Sequence, residues 1–311
     1  MSLSLSSPPA APGLAGAVRL NDWGVIRATG ADARKFLHGQ LTQDVEHLAP
    51  GRARLAGFCS AKGRLLATFV MWRRGEDDVL LACTADLLPA VLKRLSMFVL
   101  RAKCKLSDAS ADWPVWGVAG TDFADAAAWD QFSTGGADVI RLPDALVQGQ
   151  AVTRGLWLGA EPAGLPALDA DTWRGLEAAS GVARVVAATA EHFVPQMVNL
   201  ELVGGVNFQK GCYPGQEIVA RSQYRGTLKR RAQVLHSSGA LQPGQEIFHE
   251  ADPGQPAGMV VLAGRLPGTG DVTLAELKLS ALDGGALHVG AADGPLLQLA
   301  ALPYAIPTEP A

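Results

Sequence analysis

The run Lys210-Gly211-Cys212-Tyr213-Pro214-Gly215-Gln216-Glu217, closed by Arg221, gathers more chemistry than any other stretch of the chain. A thiol stands between a glycine and a Tyr-Pro-Gly turn. Glycine and proline bend the backbone sharply and let a small ligand or a partner come close. Lys210, two positions before Cys212, supplies an ammonium, and a nearby cation favours the thiolate, the nucleophilic and metal-binding form. Gln216 and Glu217 add an amide and a carboxylate on the outgoing element. The same residues also suit a buried cysteine beside a structural turn, because free cysteine is among the most buried residue types. Spacing leaves both readings open.

Other chemistries fall away. The six histidines show no His-x-x-x-His pair and no local cysteine neighbour, so no metal-ligand set is expected. Walker loops and Gly-x-Ser-x-Gly elbows are absent, and Gly268-Thr269-Gly270 lacks the strand–turn–helix setting of a dinucleotide site. Cys59, Cys83, Cys104 and Cys212 lie far apart without a Cys-x-x-Cys, which fits reduced cytoplasmic thiols better than a disulfide framework. A formal net charge of -3 excludes a body-wide polyanion binder, and direct nucleic-acid binding is not expected. Arg221–Arg231 nevertheless concentrates five cations. No apolar run is long enough for a membrane span, and the start lacks the basic and apolar regions of a signal peptide. A cytoplasmic protein is expected.

The elements that must position these groups follow from periodicity. With 311 residues, the chain is long enough for two domains. At 48% hydrophobic and 18% charged it can bury a sizeable core. The spacing predicts two short strands around a turn over 17–28, a helix over 31–44, and a hairpin over 52–72 turning at Ser60-Ala61-Lys62-Gly63. A strand near 79–83, a helix through Leu88–Leu95, strands at 103–106 and 115–119, and a helix over 171–180 come next. After Arg231 six short apolar runs alternate with Gly/Pro turns, the pattern of a small closed β-barrel. The expected class is α+β, with a flexible tail over 1–16, a main region over 17–235 and the barrel over 236–311.

Lys210-Gly-Cys-Tyr-Pro-Gly-Gln-Glu217 resembles the Lys-Gly-Cys-Tyr-x-Gly-Gln-Glu motif of the YgfZ family, folate-binding proteins tied to iron–sulfur cluster assembly or repair and related to the glycine-cleavage aminomethyltransferase. The likeness extends to Asp22-Trp23-Gly24, Gly39-Gln40-Leu41-Thr42, Cys59-Ser60-Ala61-Lys62-Gly63, Pro195-Gln196-Met197-Val198-Asn199-Leu200 and Arg225-Gly226-Thr227-Leu228. It implies an aminomethyltransferase-like ring of three subdomains around a channel for tetrahydrofolate or a derivative. Trp23 and Trp173 match tryptophans associated with folate, whose flat rings an indole can stack upon. Glu201, beside Asn199, aligns with the carboxylate that grips the pterin in the transferases. The arginine-rich stretch could line the channel mouth.

One departure bears on activity. The transferases carry an aspartate on the strand after the hairpin turn, and Arg64–Trp72 has no carboxylate. The resemblance therefore implies an accessory factor more than an enzyme. Its partners would be folate and iron–sulfur clients or assembly proteins, including radical enzymes that modify tRNA. Cys212 would be the functional thiol, with transient cluster contact through it. The rivals are a folate-dependent one-carbon (aminomethyl) transferase or demethylase, and an RNA or protein interaction module using residues 221–231.

Overall fold

A computed structural model describes residues 13–123, 125–224 and 228–307. Two five-stranded antiparallel sheets and a six-stranded closed barrel make up the chain. The first sheet has the order β3-β4-β5-β2-β6, from β2 (Trp23–Thr29), β3 (Ala53–Cys59), β4 (Leu65–Gly75), β5 (Asp78–Thr84) and β6 (Lys105–Asp108). The second has the order β1-β7-β10-β9-β8, from β1 (Gly16–Arg19), β7 (Val115–Ala119), β8 (Gln131–Thr134), β9 (Ala137–Val147) and β10 (Gln150–Leu158). The expected strand pair over 17–28 exists, but its members do not pair with each other. β1 joins β7, and β2 joins β5 and β6. The chain thus crosses between sheets at Asn21-Asp22.

The hairpin over 52–72 forms as β3 and β4, with Gly63 at φ +69° in its turn. The helices α2 (Leu88–Met97) and α3 (Ala170–Ala179) lie where periodicity puts them, and Asp169 caps α3 by accepting from the Thr172 N–H. The helix expected over 31–44 is only α1 (Ala33–His38). Beyond Gly39 the chain is drawn into the core, where Leu41 bridges Phe58 and the Thr42 hydroxyl donates to the Gly205 carbonyl. These tertiary bonds replace the further helical turns.

The barrel closes in the order β11-β14-β13-β12-β15-β16, from β11 (Arg230–Ser237), β12 (Glu246–His249), β13 (Asp252–Leu266), β14 (Gly270–Lys278), β15 (Leu287–Val289) and β16 (Leu296–Ala300). Leu235, Ile247, Val260 and Leu277 fill it, each side chain contributing about 1.5–3 kcal/mol on burial. Because β11 starts at Arg230, the expected boundary at 235/236 falls inside the first barrel strand. The expected tail also ends earlier than residue 16, since Leu14 is buried. Residues 1–12 of that tail lie outside the described residues.

One apolar core joins both sheets, α3 and part of the barrel. A Cβ on Gly264 of β13 would sit 2.1 Å from the Gly175 backbone nitrogen of α3. Helix and barrel therefore approach more closely than any larger residue at 264 would allow.

Candidate functional site

The Cys212 loop is clamped at both ends before it enters α4 (Gln216–Tyr224). The Lys210 ammonium donates to the Leu41 carbonyl at 2.9 Å and to the His38 carbonyl at the end of α1, where the negative end of the helix dipole favours a cation. It also lies 4.8 Å from the centre of the Tyr213 ring. Burial pushes this ammonium down to about 8, against the pull of Asp44 and Cys212. Lys210 therefore acts first as the anchor of the loop. At the other end, Gly215 has φ +80°, and a Cβ there would meet the Ser60 carbonyl oxygen at 2.4 Å. Gly215→Ala combines a disfavoured backbone with a clash against backbone, so a loss of about 2 kcal/mol or more is expected. Thermal unfolding checks this, and an unchanged melting temperature would contradict the close contact.

Cys212 itself is exposed, which decides against the buried-cysteine reading. Burial pushes the thiols of Cys59 and Cys83 up to about 12, and also raises that of half-buried Cys104. The native protein should therefore show one fast thiol toward Ellman's reagent, lost in Cys212→Ser. Fast reaction of two or more would contradict the burial pattern. Further along α4, Glu217 and Arg221 pair at 3.3 Å in solvent, where such a contact contributes only tenths of a kcal/mol.

A second feature lies between the two sheets. There β3 and β4 face β9 and β10 across a narrow cleft whose free space, about 30 Å³, has room for about one water. Trp129 stitches the sheets together on one side. Its N–H donates to the Arg141 carbonyl and its carbonyl accepts from Ala53, both at 2.7 Å, with φ at +70°. Trp23 forms another wall, and its indole N–H is buried without an acceptor. The Arg184 guanidinium lies 4.9 Å from the Trp23 ring. Arg184 is gripped by both oxygens of Glu177, at 3.0 Å each, and by Asp22 at 2.9 Å. Burial opposes its charge, yet Glu177 and Asp22 outweigh burial and hold its pKa above the ordinary value. Arg154 completes the polar wall. It is 2% exposed, and burial pushes it down to about 10.

Cavity and thiol are separate. Leu55 of β3 lines the cavity. Four residues on, or roughly 13 Å at strand rise, Cys59 ends the same strand close enough to Tyr213 to influence its phenol.

Of the residues expected to hold folate, only Trp23 lines this cavity. Trp173 is corrected as a lining residue: it is 1% exposed, packed against Gly117, its ring lies 5.7 Å from the Arg154 guanidinium, and its N–H, like that of Trp23, is buried without an acceptor. It backs the cavity wall and offers no face to a ligand. Asn199 is corrected as well. Its amide donates to the Ala232 carbonyl at 2.9 Å and accepts from the Ala232 N–H at 3.3 Å, docking the barrel. Glu201 is buried against Arg231 away from the cavity lining, with Oε2 left unpartnered and its pKa raised by burial against the pull of Arg231.

The expected basic mouth is also largely neutralised. Arg231 pairs with Glu201, Arg230 with Glu276 and Arg221 with Glu217. Arg225 lies outside the described residues.

Comparison with known proteins gives this geometry a lineage. The model of the GCVT N-terminal domain family matches residues 15–128. The tRNA-modifying protein YgfZ of Cronobacter sakazakii is 32% identical over 263 residues, covering 74% of each chain. That of Edwardsiella ictaluri is 31% identical over 316 residues, covering 92% of each. The chain belongs to the YgfZ family. The crystal structure of the glycine cleavage system aminomethyltransferase T from Bartonella henselae shares the fold, with a TM-score of 0.72 at 14% identity over 94% of this chain and 86% of that one. The YgfZ resemblance and the α+β, barrel-ended fold expected from sequence are thereby established.

Within this YgfZ fold, the carboxylate of the cavity wall comes from α3, not from the hairpin strand. It is Glu177, and Arg184 holds both its oxygens. Sequence reading missed Glu177, Arg184 and Arg154. Arg154 did carry a signal: Val152, Arg154, Leu156 and Leu158 alternate along β10, so the arginine falls on an otherwise apolar, inward face. Among the described residues no helix is long and apolar enough to cross a membrane.

Proposed function

We propose that this chain binds a reduced folate in the cavity at Trp23 and uses the exposed thiol of Cys212 to support iron–sulfur enzymes, among them enzymes that modify tRNA. The observation that carries folate binding is the Trp23 indole at the wall of this cleft, whose N–H is buried and lacks an acceptor. A flat heteroaromatic ring bearing acceptor atoms would stack on that indole and satisfy its N–H once the cleft widens, since its present free space holds about one water. Reduced folate, when bound, supplies a carrier for one-carbon units. Trp23 would orient it, and Arg154 and Arg184 would set the charge around it. The relatives' name as tRNA-modifying proteins supports the choice of clients.

Cys212 serves a different step, because it lies at the far end of the β3–β4 hairpin. One exposed thiol cannot hold a whole cluster, which takes about four ligands. It is suited to a transient bond with a client or with one iron. A one-carbon transferase is less well supported, since the carboxylate at the cavity is held by Arg184 and is not free to move a proton. An RNA-binding module is also less well supported, because three of the five cations in 221–231 are engaged in ion pairs.

The test separates the two halves. In a strain lacking the protein, the wild type should restore an iron–sulfur enzyme that modifies tRNA, whereas Cys212→Ser should not. Both proteins should bind tetrahydrofolate with equal affinity. Full rescue by the serine variant would remove the chemical role assigned to the thiol.

A further inference from the structure

We propose that Arg154 is the ligand anchor of the inter-sheet cavity, binding an anionic or carbonyl oxygen carried at one end of a flat molecule. The ligand's identity rests on the folate proposal above; the anchor rests on the surroundings of Arg154. Its Nε and Nη2 both donate to a single acceptor, the Pro143 carbonyl, at 3.2 and 3.1 Å. A guanidinium has five N–H donors in a rigid fork. The carboxylates near enough to help are already held by other arginines: Glu177 by Arg184 through both oxygens, and Asp144 by Arg141. Arg141 adds like charge to the same region.

Arg154 is thus a buried cation with no ion-pair partner among the described residues, on the wall of a space of about 30 Å³ that admits about one oxygen-sized group. Burying an unmatched charge costs several kcal/mol. A bound oxygen with a lone pair toward the guanidinium would offset much of that cost through charge-assisted hydrogen bonds. The Trp173 ring, 5.7 Å from the guanidinium, gives it a cation–π contact. Trp23 bounds the same space, so an oxygen entering it would pass beside the indole.

Folate offers two sources for the oxygen, the ring carbonyl of the pterin and the carboxylates of the glutamate tail. Three probes distinguish them: tetrahydrofolate, 6-methyltetrahydropterin (carbonyl only) and p-aminobenzoylglutamate (no pterin). Binding is followed by tryptophan fluorescence and by thermal shift on wild type, Arg154→Met and Arg154→Lys. Arg154→Met should melt at or above the wild type without ligand. It should lose at least tenfold in affinity for tetrahydrofolate and for whichever fragment carries the anchored oxygen. Arg154→Lys, which keeps charge without the fork, should lose less.

Two results would overturn the proposal: unchanged affinity for all three probes, or a lowered ligand-free melting temperature with the ligand response intact. Should the wild type bind none of the three, folate binding fails on its own. Benzoate, a flat carboxylate, then decides the anchor. A thermal shift in wild type that vanishes in Arg154→Met would uphold it, and no shift in wild type would overturn it.

Discussion

Glu177→Leu should destabilise the protein by about 3–5 kcal/mol, the usual loss when one member of a buried ion pair is removed. The expectation follows from what the carboxylate faces. Its two oxygens hold Arg184, both side chains are nearly inaccessible, and Arg154 stands close by without a counterion. Removing Glu177 leaves two buried guanidinium groups and only Asp22, at 44% exposure, to balance them. The double variant Glu177→Leu/Arg184→Met should recover part of the loss, since the charge that needed Glu177 is gone as well. Urea unfolding of the four proteins gives the coupling. A single-variant loss below about 1 kcal/mol would contradict the picture of a tightly held, buried Glu177–Arg184 pair.

Trp23 and Trp173 should separate binding from folding. Trp23→Leu is expected to weaken tetrahydrofolate binding about 10- to 100-fold, the equivalent of roughly 1.4–2.8 kcal/mol, which is the range of aromatic stacking. It should leave the melting temperature little changed, because the ring is only half-buried and its N–H has no partner to lose. Trp173→Leu should do the reverse, costing about 3 kcal/mol through the space left between Gly117 and Arg154. Titration by fluorescence and thermal unfolding of both variants check the pair of outcomes. Loss of binding in both with stability intact would show that Trp173 is a ligand contact after all.

Much of this was readable from the sequence, for reasons that can be named. The barrel strands show because each apolar run is local and bounded by Gly or Pro turns; Glu246–His249 was bounded to the residue. The Cys212 motif shows because its glycines are dictated by contacts within reach of the turn chemistry, as at Gly215. Strand pairing between β1 and β7 did not show, because partners about a hundred residues apart leave no local pattern. Nor did the shortness of α1, which is set by Lys210 and Phe58 from elsewhere in the chain.

The cavity was the least legible part. Its polar wall is built from Arg154, Glu177 and Arg184, with Asp22 pairing to Arg184 outside the lining, and this shared environment exists only once α3 and both sheets are assembled. Family likeness pointed to tryptophans and a carboxylate, but only one of those side chains reaches the space.

Hydrogen exchange with and without tetrahydrofolate tests the central claim most directly. Binding should slow exchange in Leu65–Gly75, in the part of β9 around Leu142 and in residues 182–184, with little change around Cys212. Binding that protects the Cys212 loop or the barrel, and leaves those three segments unchanged, would contradict a folate site at Trp23.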